Sequence, residues 1–227
     1  MKKSAPAIGV AIAAATLAFG LAGCDSNKND TKSSTSSSAS SSSKSSSSST
    51  TSTSAQASGS NETIDDYLKK NNVTSTKLPP DDPNSPAIGL PDIDGWKPLQ
   101  EEKDPTIAFS NATDPSDPPK IQAILFKLSG DVDEDQFLAA ASGEVKNLPG
   151  FSGGDGSRTT LDNFPASQIS GPYTADGKTR VAGQKTVLIK SDKGVFVLQL
   201  SADSPDADKD ALADAMNVVD EKTTIKA

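Results

Sequence analysis

The chain contains no histidine and a single cysteine, Cys24, among 227 residues. Without histidine, Ser-His-Asp and Cys-His nucleophiles, His-ligated metals and histidine pH switching are excluded. With one thiol, no disulfide can form within the chain. Aromatic residues make up only 4% of the sequence and include one tryptophan, Trp96. Positive charge is also scarce, for the formal net charge is −8. Five of the lysines (Lys2, Lys3, Lys28, Lys32, Lys44) lie in the first sixty residues, against only Asp25 and Asp30 there, so the remainder is more acidic still. An acidic chain does not seek nucleic-acid phosphates, nor anionic lipid head groups by charge. The acidity itself reads as solubility.

What is present falls into three unlike segments. Lys2 and Lys3 precede residues 5–20, which are almost all Ala, Ile, Val, Leu, Phe and Gly. That run is short for a bilayer span and has the character of an export signal. It leads into Leu21-Ala22-Gly23-Cys24, which resembles the bacterial lipobox. The expectation is a signal peptide over 1–23, cleaved before Cys24, whose thiol carries acyl chains. Each buried methylene contributes roughly 0.8 kcal/mol, and two or more chains hold a protein at a membrane almost permanently. This places the rest of the chain at the outer face of the plasma membrane.

Residues 25–60 are mostly serine, with almost no apolar side chains, and cannot form a core. With Cys24 they are expected to be a disordered tether. Its root-mean-square span is roughly 30–35 Å, with a contour limit of about 120 Å. Residues 61–227 are long enough for one domain with a core and too short for two ordinary ones.

Within that domain, Thr63 caps a short helix whose apolar residues Ile64, Tyr67 and Leu68 share one face. Prolines 79, 80, 83, 86 and 91 enforce extended or turning backbone. Strands are predicted near 95–98, over 106–109 and over 120–128. The last is apolar on both faces and therefore lies between two layers. Asp131-x-x-Glu134 reads as a capping box before a helix with Phe137, Leu138, Ala141 and Val145 on its stripe, ending before Pro149-Gly150. Strand-like pattern runs from Ala166 to Tyr173, from Thr179 to Lys190 and from Val195 to Leu200, with turns at Asp176-Gly177 and Asp192-Lys193-Gly194. Ser204-Pro205 reads as a cap and first-turn proline for a last helix lined by Ala211, Leu212, Ala215 and Val219. Residues 223–226 suggest a closing strand. The turns are too short for parallel crossovers, so the fold class is α+β, an antiparallel β-sheet with helices packed on it.

Several pieces in order carry a family resemblance. They are the lipobox and serine tether, Thr63–Leu68, Ser85-Pro86 with Leu90-Pro91, Gly95-Trp96, Pro165-Ala166, Arg180 with Gln184-Lys185-Thr186-Val187, Val197-Leu198-Gln199-Leu200, and Asp220-Glu221 with Thr223-Thr224-Ile225. This ordered set resembles the LpqN/LpqT lipoprotein family of mycobacteria and related actinobacteria over essentially all of 61–227. The resemblance implies a fold similar to the Mog1/PsbP type, with the sheet sandwiched by helices. It implies an envelope role without known enzymatic activity. Family members are associated with mycolic-acid envelope biogenesis and with trehalose-type glycolipids. It supplies no site motif to transfer.

The candidate chemistry in the residues is sparse. Asp131, Asp133 and Asp135 alternate as in a calcium loop, but Gln136 replaces the turn glycine and Ser142 the bidentate glutamate, so helix capping explains them better. The loop Gly150–Gly156 lacks a following Gly-Lys-Ser/Thr and reads as a flexible connection rather than a phosphate cradle. No pair of carboxylates stands out for glycoside hydrolysis. Most aromatics belong to the core, but a few are candidates for a cavity between sheet and helix. The candidate ligand-binding residues are Trp96, Phe109, Phe126, Tyr173, Arg180 and Gln184, with Trp96 and Tyr173 as preferred wall residues. No cofactor or metal is expected. The leading expectation is a non-enzymatic, membrane-anchored protein that binds or hands on an envelope amphiphile, such as a trehalose glycolipid. The alternative is an interaction module for envelope-biogenesis enzymes or transporters, which an exposed apolar patch would favour.

Overall fold

The computed structural model describes residues 61–79, 81–99, 106–111 and 116–227. The expected signal, Cys24 and the serine tether lie outside the described residues. In chain order the elements are α1 (Ile64–Lys70), β1 (Thr74–Leu78), β2 (Ala87–Gly89), β3 (Trp96–Leu99), β4 (Thr106–Asn111), β5 (Lys120–Ser129), α2 (Glu134–Ala140) and α3 (Gly143–Lys146). Then follow β6 (Ser157–Leu161), β7 (Phe164–Ala175), β8 (Lys178–Ser191), β9 (Gly194–Pro205), a 3-10 turn at Asp206–Asp208, α4 (Lys209–Lys222) and β10 (Thr224–Lys226).

Eight strands form one sheet in the order β3-β4-β5-β9-β8-β7-β6, with β1 on the same edge of β5 as β4. Every pairing is antiparallel. β10 and β2 form a separate antiparallel pair. The α+β antiparallel class is therefore as the turn lengths required. Local chemistry sets the hairpins. Asp162 and Asn163 join β6 to β7, and Asp176 and Gly177 join β7 to β8, all four at positive φ. Two consecutive left-handed residues match the right-handed twist of the flanking strands.

The sheet is covered on both faces. On one, Ile121, Leu125, Val187, Phe196, Leu198 and Leu200 pack with Leu212, Ala215 and Val219 of α4. On the other, Leu128, Leu188 and Val197 pack with Tyr67 and Leu68 of α1 and Phe137 and Leu138 of α2. Alternation along β5 sends Ile121, Ala123 and Leu125 to the first face and Phe126 and Leu128 to the second, as its doubly apolar pattern demands. Burying each large side chain contributes about 1.5–3 kcal/mol.

Three local readings change. The cap of α2 is Asp133, whose carboxylate accepts from the Gln136 N–H at 2.9 Å; it is not Asp131. The helix expected to run unbroken to Val145 divides into α2 and α3, with Ser142 and Gly143 at the step. Gly143 is required there because a Cβ would sit 2.1 Å from the Glu62 carbonyl oxygen. Ser204 does not cap the last helix: it ends within β9, fully buried, because β9 continues to Pro205 and α4 begins only at Lys209. Strands β1, β2 and β6 carry no strong apolar alternation and are fixed by pairing rather than propensity.

The glycine-rich loop is a packed feature. A Cβ on Gly153 would lie 2.4 Å from the Phe151 ring and 2.5 Å from the Ser170 carbonyl oxygen. The loop is tied to β7 by Ser152 N–H donating to Pro172 O at 3.0 Å and Thr174 N–H donating to Pro149 O at 2.7 Å.

Candidate functional site

The face covered by α1, α2 and α3 carries a groove along β9. Its strand register brings Gln199 opposite Thr186, Ser201 opposite Gln184 and Asp203 opposite Ala182. Gln199, Ser201 and Asp203 alternate with the buried Leu198, Leu200 and Ala202, so one face of β9 is polar over this stretch and the other is core.

At one end lies an apolar cavity of 80 Å3. Its walls include Ile64 and Leu68 of α1, Phe126 and Leu128 of β5, Phe137 of α2 and Val197 of β9. At the other end lies a cavity of 320 Å3 lined by Val145, Leu148, Tyr173, Gln184, Ser201 and Asp203, among others. Glu144 of α3 lines both. The larger volume reaches the lower part of the range of about 300–1,000 Å3 usual for ligand sites.

Glu144 is bound to the sheet from above. Its Oε2 accepts from Gln199 Nε2 at 2.8 Å and from Gln184 Nε2 at 3.2 Å. Gln184 also donates to the Ala141 carbonyl at 3.1 Å and to Thr186 Oγ1 at 3.2 Å, which fixes its amide beneath the α2–α3 step. Burial pushes the Glu144 carboxyl above its usual range, against the two amide donors, which hold it down.

Beyond Ser201 the groove becomes ionic. Arg180 donates to Asp203 through Nε at 3.1 Å and more closely through Nη2, and to Asp117 through Nη1 at 2.6 Å. Tyr173 donates its hydroxyl to Asp203 at 2.6 Å. The bond to Asp203 is the chief cause that holds Arg180 above its already high ordinary pKa, so it is a permanent cation. Burial first, and Asp203 second, push the Tyr173 phenol up. One guanidinium is thus shared between two carboxylates, and the strip keeps an acidic balance.

Of the six residues nominated from the sequence, four share this face. Phe126 lines the apolar cavity, Gln184 and Tyr173 the polar one, and Arg180 braces Asp203 beside it. Trp96 and Phe109 lie across the sheet. By register Phe109 faces with Ile121 and Trp96 with Asn111 at the β3 edge, and Trp96 packs on the α4-side core. They cannot line one groove with the other four, because strand pleating separates the faces. Glu144, Gln199, Ser201, Asp203 and Asp117 were not nominated. The period-two polar residues of 199, 201 and 203 in an otherwise apolar strand were the available signal; Glu144 had none.

A third cavity, of 180 Å3, opens on the opposite face between α4 and β7–β8. Its floor holds Lys185, 2% exposed, bonded to Asp220 at 2.5 Å. Among the described residues no helix is long and apolar enough to cross a membrane, and no group of acidic or thiol side chains is arranged to hold a metal.

Known proteins resemble this chain closely. The family described as "Probable lipoprotein LpqN" matches residues 60–226. Lipoprotein LpqN of Mycobacterium tuberculosis (strain ATCC 25618 / H37Rv) is 51% identical over 220 residues, covering 95% of this chain and 96% of that protein. A crystal structure described as LpqN involved in cell envelope biogenesis of Mycobacterium tuberculosis superposes with a TM-score of 0.71 at 48% identity, covering 74% of this chain and all of that one. With a matching family over most of its length and a relative at half identity, the chain belongs to the LpqN lipoprotein family.

Proposed function

We propose that this chain is a non-enzymatic lipoprotein, anchored through Cys24 at the outer face of the plasma membrane, that binds or hands on an envelope amphiphile such as a trehalose glycolipid. The observation that carries this reading is the continuity of an apolar cavity and a hydroxyl- and carboxamide-rich strip along one strand, β9. An amphiphile needs both halves side by side. Alkyl carbons would meet Phe126, Phe137 and Val197, while the head would meet Gln184, Gln199, Ser201 and Tyr173. At 80 Å3 the apolar cavity takes only the start of a chain, so a long acyl group would lie along α1 or part it from the sheet.

The relative's tie to cell envelope biogenesis supports an envelope role for this chain. The absence of histidine, with the single thiol assigned to the anchor, supports a binding function over catalysis. The alternative, a scaffolding module for envelope enzymes or transporters, calls for an exposed apolar patch. Among the described residues Leu99, 37% exposed, is the one large apolar side chain left exposed, and one residue makes no patch.

The test is native mass spectrometry of the mature chain, residues 24–227 carrying Cys24→Ala, incubated with trehalose monomycolate. A complex that Phe126→Asp or Gln199→Ala weakens at least tenfold supports the groove. A clean unliganded mass, with envelope proteins recovered by crosslinking in cells, would move the assignment to the scaffolding module. In cells, Cys24→Ala should abolish labelling of the protein by palmitate and leave residues 1–23 uncleaved; a variant that still takes up palmitate would refute the anchor.

A further inference from the structure

Glu144 occupies the seam of the groove. It is the one residue that lines both the apolar and the polar cavity. Its Oε2 receives both carboxamide donors, from Gln184 and Gln199. Its Oε1 receives no donor among the described residues, yet it is not among the sealed, partnerless oxygens, which are Ser204 Oγ, Asp220 Oδ1 and Thr223 Oγ1. Oε1 therefore keeps some exposure, on a residue that lines both cavities. An amphiphile with its tail in the apolar cavity and its head in the polar one would cross beside Glu144, the residue that the two linings share.

The surroundings do not cancel the charge. From α1, Asp65 borders the apolar cavity and adds a second carboxylate. From β9, Asp203 lines the polar cavity. Arg180 of β8 is committed to Asp203 and Asp117. Lys146, on the same helix as Glu144, is bonded to Asp155 at 3.2 Å. Lys120 of β5 stands opposite Asp203 in the register, at the end of the groove away from Gln199. Gln184, Gln199 and Thr186 contribute dipoles but no charge.

We propose that Glu144 is the residue that sets the head-group specificity of the groove: its carboxylate admits amphiphiles that are uncharged at the head–tail junction and turns away those carrying a phosphate, sulfonate or carboxylate there. The inference rests on the groove holding an amphiphile, as proposed above. The physical cause is direct. An anion a few ångströms from a half-buried carboxylate suffers repulsion that partly dry surroundings screen poorly. A neutral head suffers none and can donate a hydroxyl to Oε1. Because burial favours the protonated carboxyl, the filter relaxes as the pH falls, sooner than one set by an exposed carboxylate would.

The experiment is equilibrium dialysis of the mature chain, residues 24–227 carrying Cys24→Ala, against octyl β-glucoside and 1-octanesulfonate, both below their micelle thresholds. The sulfonate is chosen because its charge does not titrate. The wild-type groove should prefer the glucoside by roughly tenfold or more, one charge–charge contact being worth about that factor. Glu144→Gln keeps the size and an acceptor for Gln199, and should close most of that gap by raising sulfonate binding. The wild type should close it too as the pH falls through the Glu144 titration, whereas Glu144→Gln should show no such step. Asp65, Asp117, Asp203, Tyr173 and Arg180 are common to both proteins, so the difference isolates Glu144. Equal binding of both probes by the wild type, or an unchanged gap in Glu144→Gln, would overturn the proposal. Binding of neither probe would overturn the amphiphile groove itself, and the filter with it.

Discussion

The ammonium of Lys185, on β8, lies 2.5 Å from the carboxylate of Asp220, near the end of α4. The lysine is 2% exposed, whereas the aspartate keeps 30%. This pair therefore clamps the C-terminal helix to the sheet from the dry side.

The asymmetry sets an expectation. Asp220→Ala leaves an ammonium buried without its partner and should cost about 3–5 kcal/mol in urea unfolding. The double variant Lys185→Met with Asp220→Ala removes both charges and should recover most of that loss. Equal destabilisation by the single and double variants would show that packing, not charge, is responsible.

Glu144 gives a pH dependence of defined sign. Burial holds its carboxyl above the ordinary value of 4.5, so the native state keeps this proton to higher pH than the unfolded chain does. The native state then binds more protons within that window, and stability falls as pH rises through it. Glu144→Gln lacks this dependence. Its stability relative to wild type should climb from about pH 4.5 upward and level off once the native carboxyl is ionised. Chemical unfolding at a series of pH values measures the difference, and a flat difference would contradict the burial argument.

Gly143 is an expectation about close approach. Its missing Cβ leaves room for the Glu62 backbone, which a methyl group would meet at 2.1 Å. Gly143→Ala should cost about 1–3 kcal/mol, the usual penalty of overpacking. The loss should be local. Hydrogen exchange should quicken first in α1, whose preceding residues must give way, while β8 and β9 stay protected.

Tyr67 joins α1 to α2 through both ring and hydroxyl. Its ring meets Phe137 edge-on at 5.5 Å, and its hydroxyl accepts the Asp133 N–H at 2.9 Å. Tyr67→Phe keeps the ring contact and loses the bond, and should cost about 1–2 kcal/mol. Thermal unfolding checks this, and a neutral result would mean water replaces the hydroxyl at the α2 cap.

The helices around Leu68, Phe137 and Leu212 were legible in the sequence because their apolar stripes repeat at helical spacing. The run of hairpins from β7 to β9 was legible because Asp176-Gly177 and Asp192-Lys193-Gly194 leave room for nothing longer. The doubly apolar Lys120–Leu128 segment announced a strand between two layers, and β5 contributes to the core on both faces of the sheet. These features are local: they depend on residues within a few positions of one another. Strands such as Thr74–Leu78 and Ser157–Leu161 were invisible because their conformation is set by partners far along the chain.

The same division runs through the site. Sequence alone determined that histidine and disulfide chemistry are closed to this protein and that the fold is antiparallel, and it nominated Trp96, Phe109, Phe126, Tyr173, Arg180 and Gln184. Only the tertiary structure decided which of them meet. Pleating sends alternate residues of a strand to opposite faces, so Trp96 and Phe109 fall on the α4 side while the other four share the groove. Glu144 acquires its place only when α3 docks on β8 and β9, 40 and 55 residues away in sequence. A carboxylate's environment is a property of what folds around it, and no local pattern records that.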